Sequence, residues 1–136
     1  MSTVDGGEES RVAVPPPRLL VVEDDRSIAE LLSMWFRSSG WHVAVAHSGP
    51  EGVARAVAFR PDAVVLDGML PGYGGLEVMR RLRVTSPALP VVLSTAMDSD
   101  QHRREALSAG ADAYLVKPWS LLTLHDTVES LTRRRR

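Results

Sequence analysis

The chain has 136 residues, 44% apolar and 24% charged, with a formal net charge of −1 and no cysteine. This is the balance of one ordinary soluble domain, long enough to bury a core. It excludes a disulfide framework, thiolate chemistry and cysteine metal sites, and it gives no global pull toward nucleic acid or membrane.

Residues 1–17, "MSTVDGGEESRVAVPPP", have little to bury and close on three prolines. They are predicted to be a disordered leader, polar and proline-rich rather than signal-like. No apolar run approaches the ~18 residues of a membrane span. A soluble, cytoplasmic protein without a membrane partner is therefore expected.

From residue 18 strands and helices alternate. "LLVVE" (19–23) reads as a short buried strand. Ile28, Leu31, Leu32, Trp35 and Phe36 then recur at the spacing of an amphipathic helix, which Gly40 stops. "WHVAVA" (41–46) alternates as a strand should. Ser48 caps the next helix, with Pro50 in its first turn, and that helix ends before Pro61. "AVVLD" (63–67) is the third predicted strand, and Gly75 to Arg83 the helix after it. "PVVLS" (90–94) is the fourth strand, followed by a helix over 100–109 that Gly110 ends. "AYLVK" (113–117) is the fifth. The last helix shows Leu121, Leu124, Val128 and Leu131 on one stripe.

Five βα units whose strands are apolar on both faces belong to an α/β fold, a doubly wound parallel sheet covered by helices. The domain is expected to span 18–132. The basic run Arg133 to Arg136 reads as a solvated helix end, a nucleic-acid contact, or the start of a linker to a missing effector domain.

In such a sheet chemistry collects at the carboxyl ends of the strands. Here the first strand ends in Glu23-Asp24-Asp25, the third in Asp67, the fourth in Ser94-Thr95 and the fifth in Lys117-Pro118. A phosphoryl-transfer site wants that combination: one carboxylate as nucleophile, others to hold Mg²⁺, and a hydroxyl and an ammonium for phosphoryl oxygens. Singly, each residue has a plainer reading. Asp24 or Asp25 suits a helix cap, Asp67 a turn, Thr95 a cap, and Lys117 an exposed surface. The four histidines show no metal-ligand spacing.

The stretches "LLVVEDD", "PDAVVLDGMLPGYGGLEVMRRLR", "PVVLSTA" and "GADAYLVKPW", in this order and spacing, resemble the receiver domain of bacterial two-component response regulators. The resemblance implies a flavodoxin-like sheet of strand order 2-1-3-4-5. It implies that Asp67 is the phosphorylated nucleophile, served by Thr95 and Lys117. It implies Mg²⁺ held by Asp24, Asp67 and the backbone carbonyl of Met69, with Glu23 acting through water. Thr95 and Tyr114 would be switch residues, Tyr114 turning inward, and the Lys117–Pro118 peptide would be cis. A sensor histidine kinase would be the partner. The domain would be no enzyme in its own right, and a homodimer through helix 4, strand 5 and helix 5 would carry the output. DNA would be met only through the missing effector domain.

Gly68 and Gly74 stand where the family often has a larger residue and an acid, which predicts a mobile loop. Ser108, Ala113 and Thr127 occupy places where charged residues are common on the output face. A P-loop ATPase fails for want of GxxxxGK[ST]. A stand-alone or phosphorylation-independent receiver acting by docking is the alternative. Met69 and Met97, two residues after Asp67 and Thr95, are expected to flank the path of a hydrolytic water and, being apolar, to leave it unaligned.

Overall fold

The computed structural model describes residues 14–135. Five strands and five helices alternate. They are β1 (Arg18–Val22), α1 (Arg26–Ser38), β2 (His42–Ala46), α2 (Gly49–Phe59), β3 (Ala63–Asp67), α3 (Gly75–Thr85), β4 (Val91–Thr95), α4 (Asp100–Ser108), β5 (Ala113–Val116) and α5 (Leu121–Arg135). All strand pairs are parallel, in the order β2-β1-β3-β4-β5.

Period-two alternation assigns the core to two layers. Leu19, Val21, Val65 and Val92 face Leu32 and Phe36 of α1 and Leu124 and Val128 of α5. Leu20, Val22, Val64, Leu66, Val91 and Leu93 face Val78, Met79 and Leu82 of α3 and Ala106 of α4. With both faces covered, β3 and β4 are buried at every position, which explains their unbroken apolar reading.

The helices begin on the side chains that the sequence offers. Asp25 accepts from the amides of Ser27 and Ile28, Ser48 from Glu51, Ser99 from His102, and Ser120 from Thr123. Asp25 is therefore a cap, and Asp24 is left for other work.

Most boundaries shift from expectation by one or two residues, and two of the differences have a clear physical cause. Trp41, expected to open the second strand, precedes β2. Gly40 takes the left-handed φ of 96° after α1, so the Trp41 amide donates to the Phe36 carbonyl at 3.0 Å and caps the helix instead of joining the sheet. The basic run expected to leave the domain at 133 continues α5 through Arg135. Glu129 supports it by an ion pair to Arg133 at 3.4 Å, and cations suit a helix C-terminus. The expected leader lies outside the described residues up to position 13. Pro17 is held to the sheet edge, its carbonyl accepting from the His42 amide.

Arg83 fastens the far end of the sheet. Its guanidinium donates to the carbonyls of Ser86, Leu89 and Gly110 and pairs with Asp112 at 3.0 Å. Among the described residues no helix is long and apolar enough to cross a membrane.

Candidate functional site

Parallel pairing brings every strand's carboxyl end to one edge, so residues far apart in sequence meet there. Asp67 ends β3, Glu23 and Asp24 follow β1, Thr95 ends β4 and Lys117 follows β5. Oxygens of Glu23, Asp24 and Asp67 lie within 4.8 Å of one another. Lys117 Nζ lies 3.0 Å from Glu23 Oε1 and 3.7 Å from Asp67 Oδ1.

Glu23 and Asp67 are only 3% and 5% exposed, whereas Asp24 faces solvent. Burial pushes the Asp67 carboxyl up to about 7; the Met69 amide pulls it back, Glu23 pushes it further up, and Lys117 pulls it down. One lysine does not balance three carboxylates. The excess negative charge, on hard oxygen donors within one ion's reach, fits Mg²⁺.

The smaller contacts aim these groups. Glu23 Oε2 accepts from the Asp25 amide at 3.1 Å, and its main-chain carbonyl accepts from His47 Nδ1 at 2.9 Å. The Met69 amide donates to Asp67 Oδ1 at 3.1 Å. The Lys117 amide donates to the Thr95 carbonyl at 2.8 Å, and the Lys117–Pro118 peptide is cis.

Thr95 is wholly buried against Gly68, and its hydroxyl accepts from the Met97 amide at 3.2 Å. Tyr114, expected to swing inward, already lies inward at 6% exposure. Its hydroxyl donates to the Met97 carbonyl at 2.5 Å. Since that uses its one proton, His102 Nδ1, 2.6 Å away, is the donor to the phenol oxygen. Burial raises the Tyr114 phenol above its ordinary value.

Glu23, Asp24, Asp67 and Lys117 thus form one cluster, and Thr95, Met97 and Tyr114 form a chain leading from it to α4. Three contacts escaped sequence reasoning: His47 with the Glu23 carbonyl, His102 with Tyr114, and Trp119 Nε1–H with Ser94 Oγ. Each is a side-chain contact that no periodicity marks, although the polar Ser94 at a strand end was a signal. The other expected output residues lie beyond the cluster: Ser108 is exposed, Ala113 half-buried, and Thr127 donates to the Thr123 carbonyl within α5.

Residues 19–129 match the family described as the response regulator receiver domain. The chain is 43% identical over 119 residues to the probable transcriptional regulatory protein TcrX of Mycobacterium tuberculosis, covering 88% of this chain and 51% of that protein. It is 45% identical over 117 residues to the response regulator MprA of Mycobacterium avium, covering 86% and 51%. The chain therefore spans about half the length of the curated relatives it matches. The receiver domain of the Francisella response regulator 1452 superposes with a TM-score of 0.84 at 32% identity, covering 88% of this chain and 99% of that one. The BeF3-activated receiver domain of Klebsiella pneumoniae RstA gives 0.80 at 30% identity, covering 85% and 98%. With its flavodoxin-like order of strands and its acidic edge, the chain belongs to the receiver domains of bacterial two-component response regulators.

Proposed function

We propose that Asp67 receives a phosphoryl group from the phosphohistidine of a sensor kinase and that the resulting acyl phosphate biases the α4–β5–α5 face. What carries this reading is the placement of Asp67: buried at a rigid strand end, beside two further carboxylates and within 3.7 Å of an ammonium. An Asp67 oxygen bonds to phosphorus while the P–N bond breaks and its electron pair returns to the imidazole. Lys117 turns from its carboxylate partners to a phosphoryl oxygen, and the Thr95 hydroxyl donates to another. Asp24 and Asp67, with the Met69 carbonyl and Glu23 through water, would hold Mg²⁺, which when bound neutralises charge on the phosphoryl oxygens.

Ionised Asp67 is the nucleophile, and its carboxyl titrates near 7 without a divalent cation. A bound cation would lower that value and so favour the ionised, nucleophilic form at neutral pH. The domain accepts and releases one group and is a switch rather than an enzyme acting on external substrates. Two curated relatives are named as regulators, one of them transcriptional, and both are about twice as long as the matched region. Those names and lengths support a transcriptional output carried by a longer protein. A cytoplasmic location, a DNA-binding effector and dimers through α4–β5–α5 rest on the family resemblance alone.

Intact-mass measurement after incubation with acetyl phosphate and Mg²⁺ tests it. One acid-labile phosphoryl group is expected on the wild type and none on Asp67→Asn or in chelator. Uptake by Asp67→Asn would overturn the assignment.

A further inference from the structure

The connection from β5 to α5 carries the ammonium, yet little of its backbone is anchored. The Lys117 amide makes the last rung to β4, and Ser120 already caps α5. Between them Pro118 has no N–H to give, and among the described residues no backbone–backbone hydrogen bond reaches Trp119. The tie is a side-chain one: Trp119 Nε1–H donates to Ser94 Oγ at 2.6 Å.

Ser94 is 1% exposed and stands directly opposite Asp67 in the β3–β4 register. Its carbonyl accepts from the Gly68 amide at 2.9 Å. One residue thus fixes both members of the Asp67–Lys117 pair. Its main chain holds the strand end that carries Asp67, and its hydroxyl holds the loop two residues beyond Lys117. A lysine stem is flexible, and this ammonium is shared between Glu23 and Asp67. A small displacement of its base therefore shifts it from one carboxylate to the other.

We propose that Trp119, through its hydrogen bond to Ser94, is a positioning residue that keeps the Lys117 ammonium within reach of the group arriving at Asp67. The inference rests on the phospho-acceptor reading above. Trp119 and Ser94 lie outside the carboxylate set that would hold the metal, so the expected effect falls on transfer, with metal affinity changed little.

The test uses the full chain with Trp119→Phe, which keeps a ring and loses the N–H, and Ser94→Ala, which loses the acceptor. The rate of phosphoryl uptake from acetyl phosphate at saturating Mg²⁺ is read by intact mass, and Mg²⁺ affinity by calorimetry. Each variant is expected to slow uptake about fivefold, the kinetic equivalent of one ordinary hydrogen bond, with Mg²⁺ affinity held within about twofold. The double variant should be no slower than the slower single one, because both changes break the same bond. Thermal denaturation identifies a variant that fails to fold, and the other single variant then decides alone. Unchanged uptake, multiplicative slowing, or a loss of Mg²⁺ affinity in step with the rate each overturns the proposal. A wild type that takes up no phosphoryl group overturns the phospho-acceptor reading and this inference together, whereas a wild type that loads beside unaffected variants overturns this inference alone.

Discussion

Gly68 and Thr95 are packed so closely that a β-carbon on Gly68 would lie 2.8 Å from the threonine hydroxyl oxygen and 2.9 Å from its Cβ. Gly68, expected to loosen the loop, also makes room for the buried hydroxyl. Gly68→Ala should displace Thr95 and break its bond from the Met97 amide. Overpacking of this kind costs roughly 1–3 kcal/mol. Urea denaturation should register that loss, and NMR shifts of Tyr114 should move with it. Unchanged stability would show that the loop yields freely.

Asp67 makes the stability of the metal-free chain depend on pH. Its carboxyl titrates at about 7 in the folded chain against an ordinary 3.8. A raised folded value means that the stabilising contribution is complete below the ordinary value and is lost as pH rises toward the folded one. In chelator, urea midpoints should fall between pH ~4 and ~7 and level off above, at about 1.4 kcal/mol per unit of displacement. Asp67→Asn should flatten this slope, and Mg²⁺ should bind more tightly as pH rises. A slope that survives in Asp67→Asn would assign the titration to another group.

His102 donates to a phenol that burial already holds above its ordinary value. His102→Ala should admit water to Tyr114 and return its ionisation toward that of a free tyrosine. In a Tyr73→Phe background Tyr114 is the one remaining tyrosine, so ultraviolet absorbance during alkaline titration reads it directly. No shift on removing His102 would mean that the Met97 carbonyl alone keeps the ring in.

Met69 and Met97 are 61% and 43% exposed and stand two residues beyond Asp67 and Thr95. Neither can orient a water by strong hydrogen bonding, so the acyl phosphate should hydrolyse slowly. Met69→Asn with Met97→Glu should shorten its lifetime by about tenfold, or ~1.4 kcal/mol of barrier. Decay followed by intact mass decides this, and an unchanged rate would remove both side chains from the control of water access.

The ten elements were legible because apolar runs of strand length alternate with helical stripes, each bounded by Gly, Pro or a capping residue. The boundary at Trp41 was not, since its amide could serve either a ladder or a helix end, and only the backbone at Gly40 decides. The basic run was ambiguous because arginine suits a helix terminus and a linker equally. Asp24, Asp67 and Lys117 were legible as charges ending apolar strands. Which of Asp24 and Asp25 capped α1 was settled by a side-chain rotamer. His102 with Tyr114, and Trp119 with Ser94, lie 12 and 25 positions apart and meet through side chains alone. Strand pattern places such residues near one another without saying that they touch.

Glu23 and Lys117, which share one ion pair, are 94 positions apart, and Asp67 lies between them in the chain. Parallel strands joined by crossovers have no local substitute for that meeting, so such contacts form late in folding. On a ribosome, the acidic cluster emerges well before the cation that tempers it. Until the fifth strand docks, the nascent domain carries its carboxylates without their lysine. On the phospho-acceptor reading, competence to accept the group would then require that the fifth strand has docked.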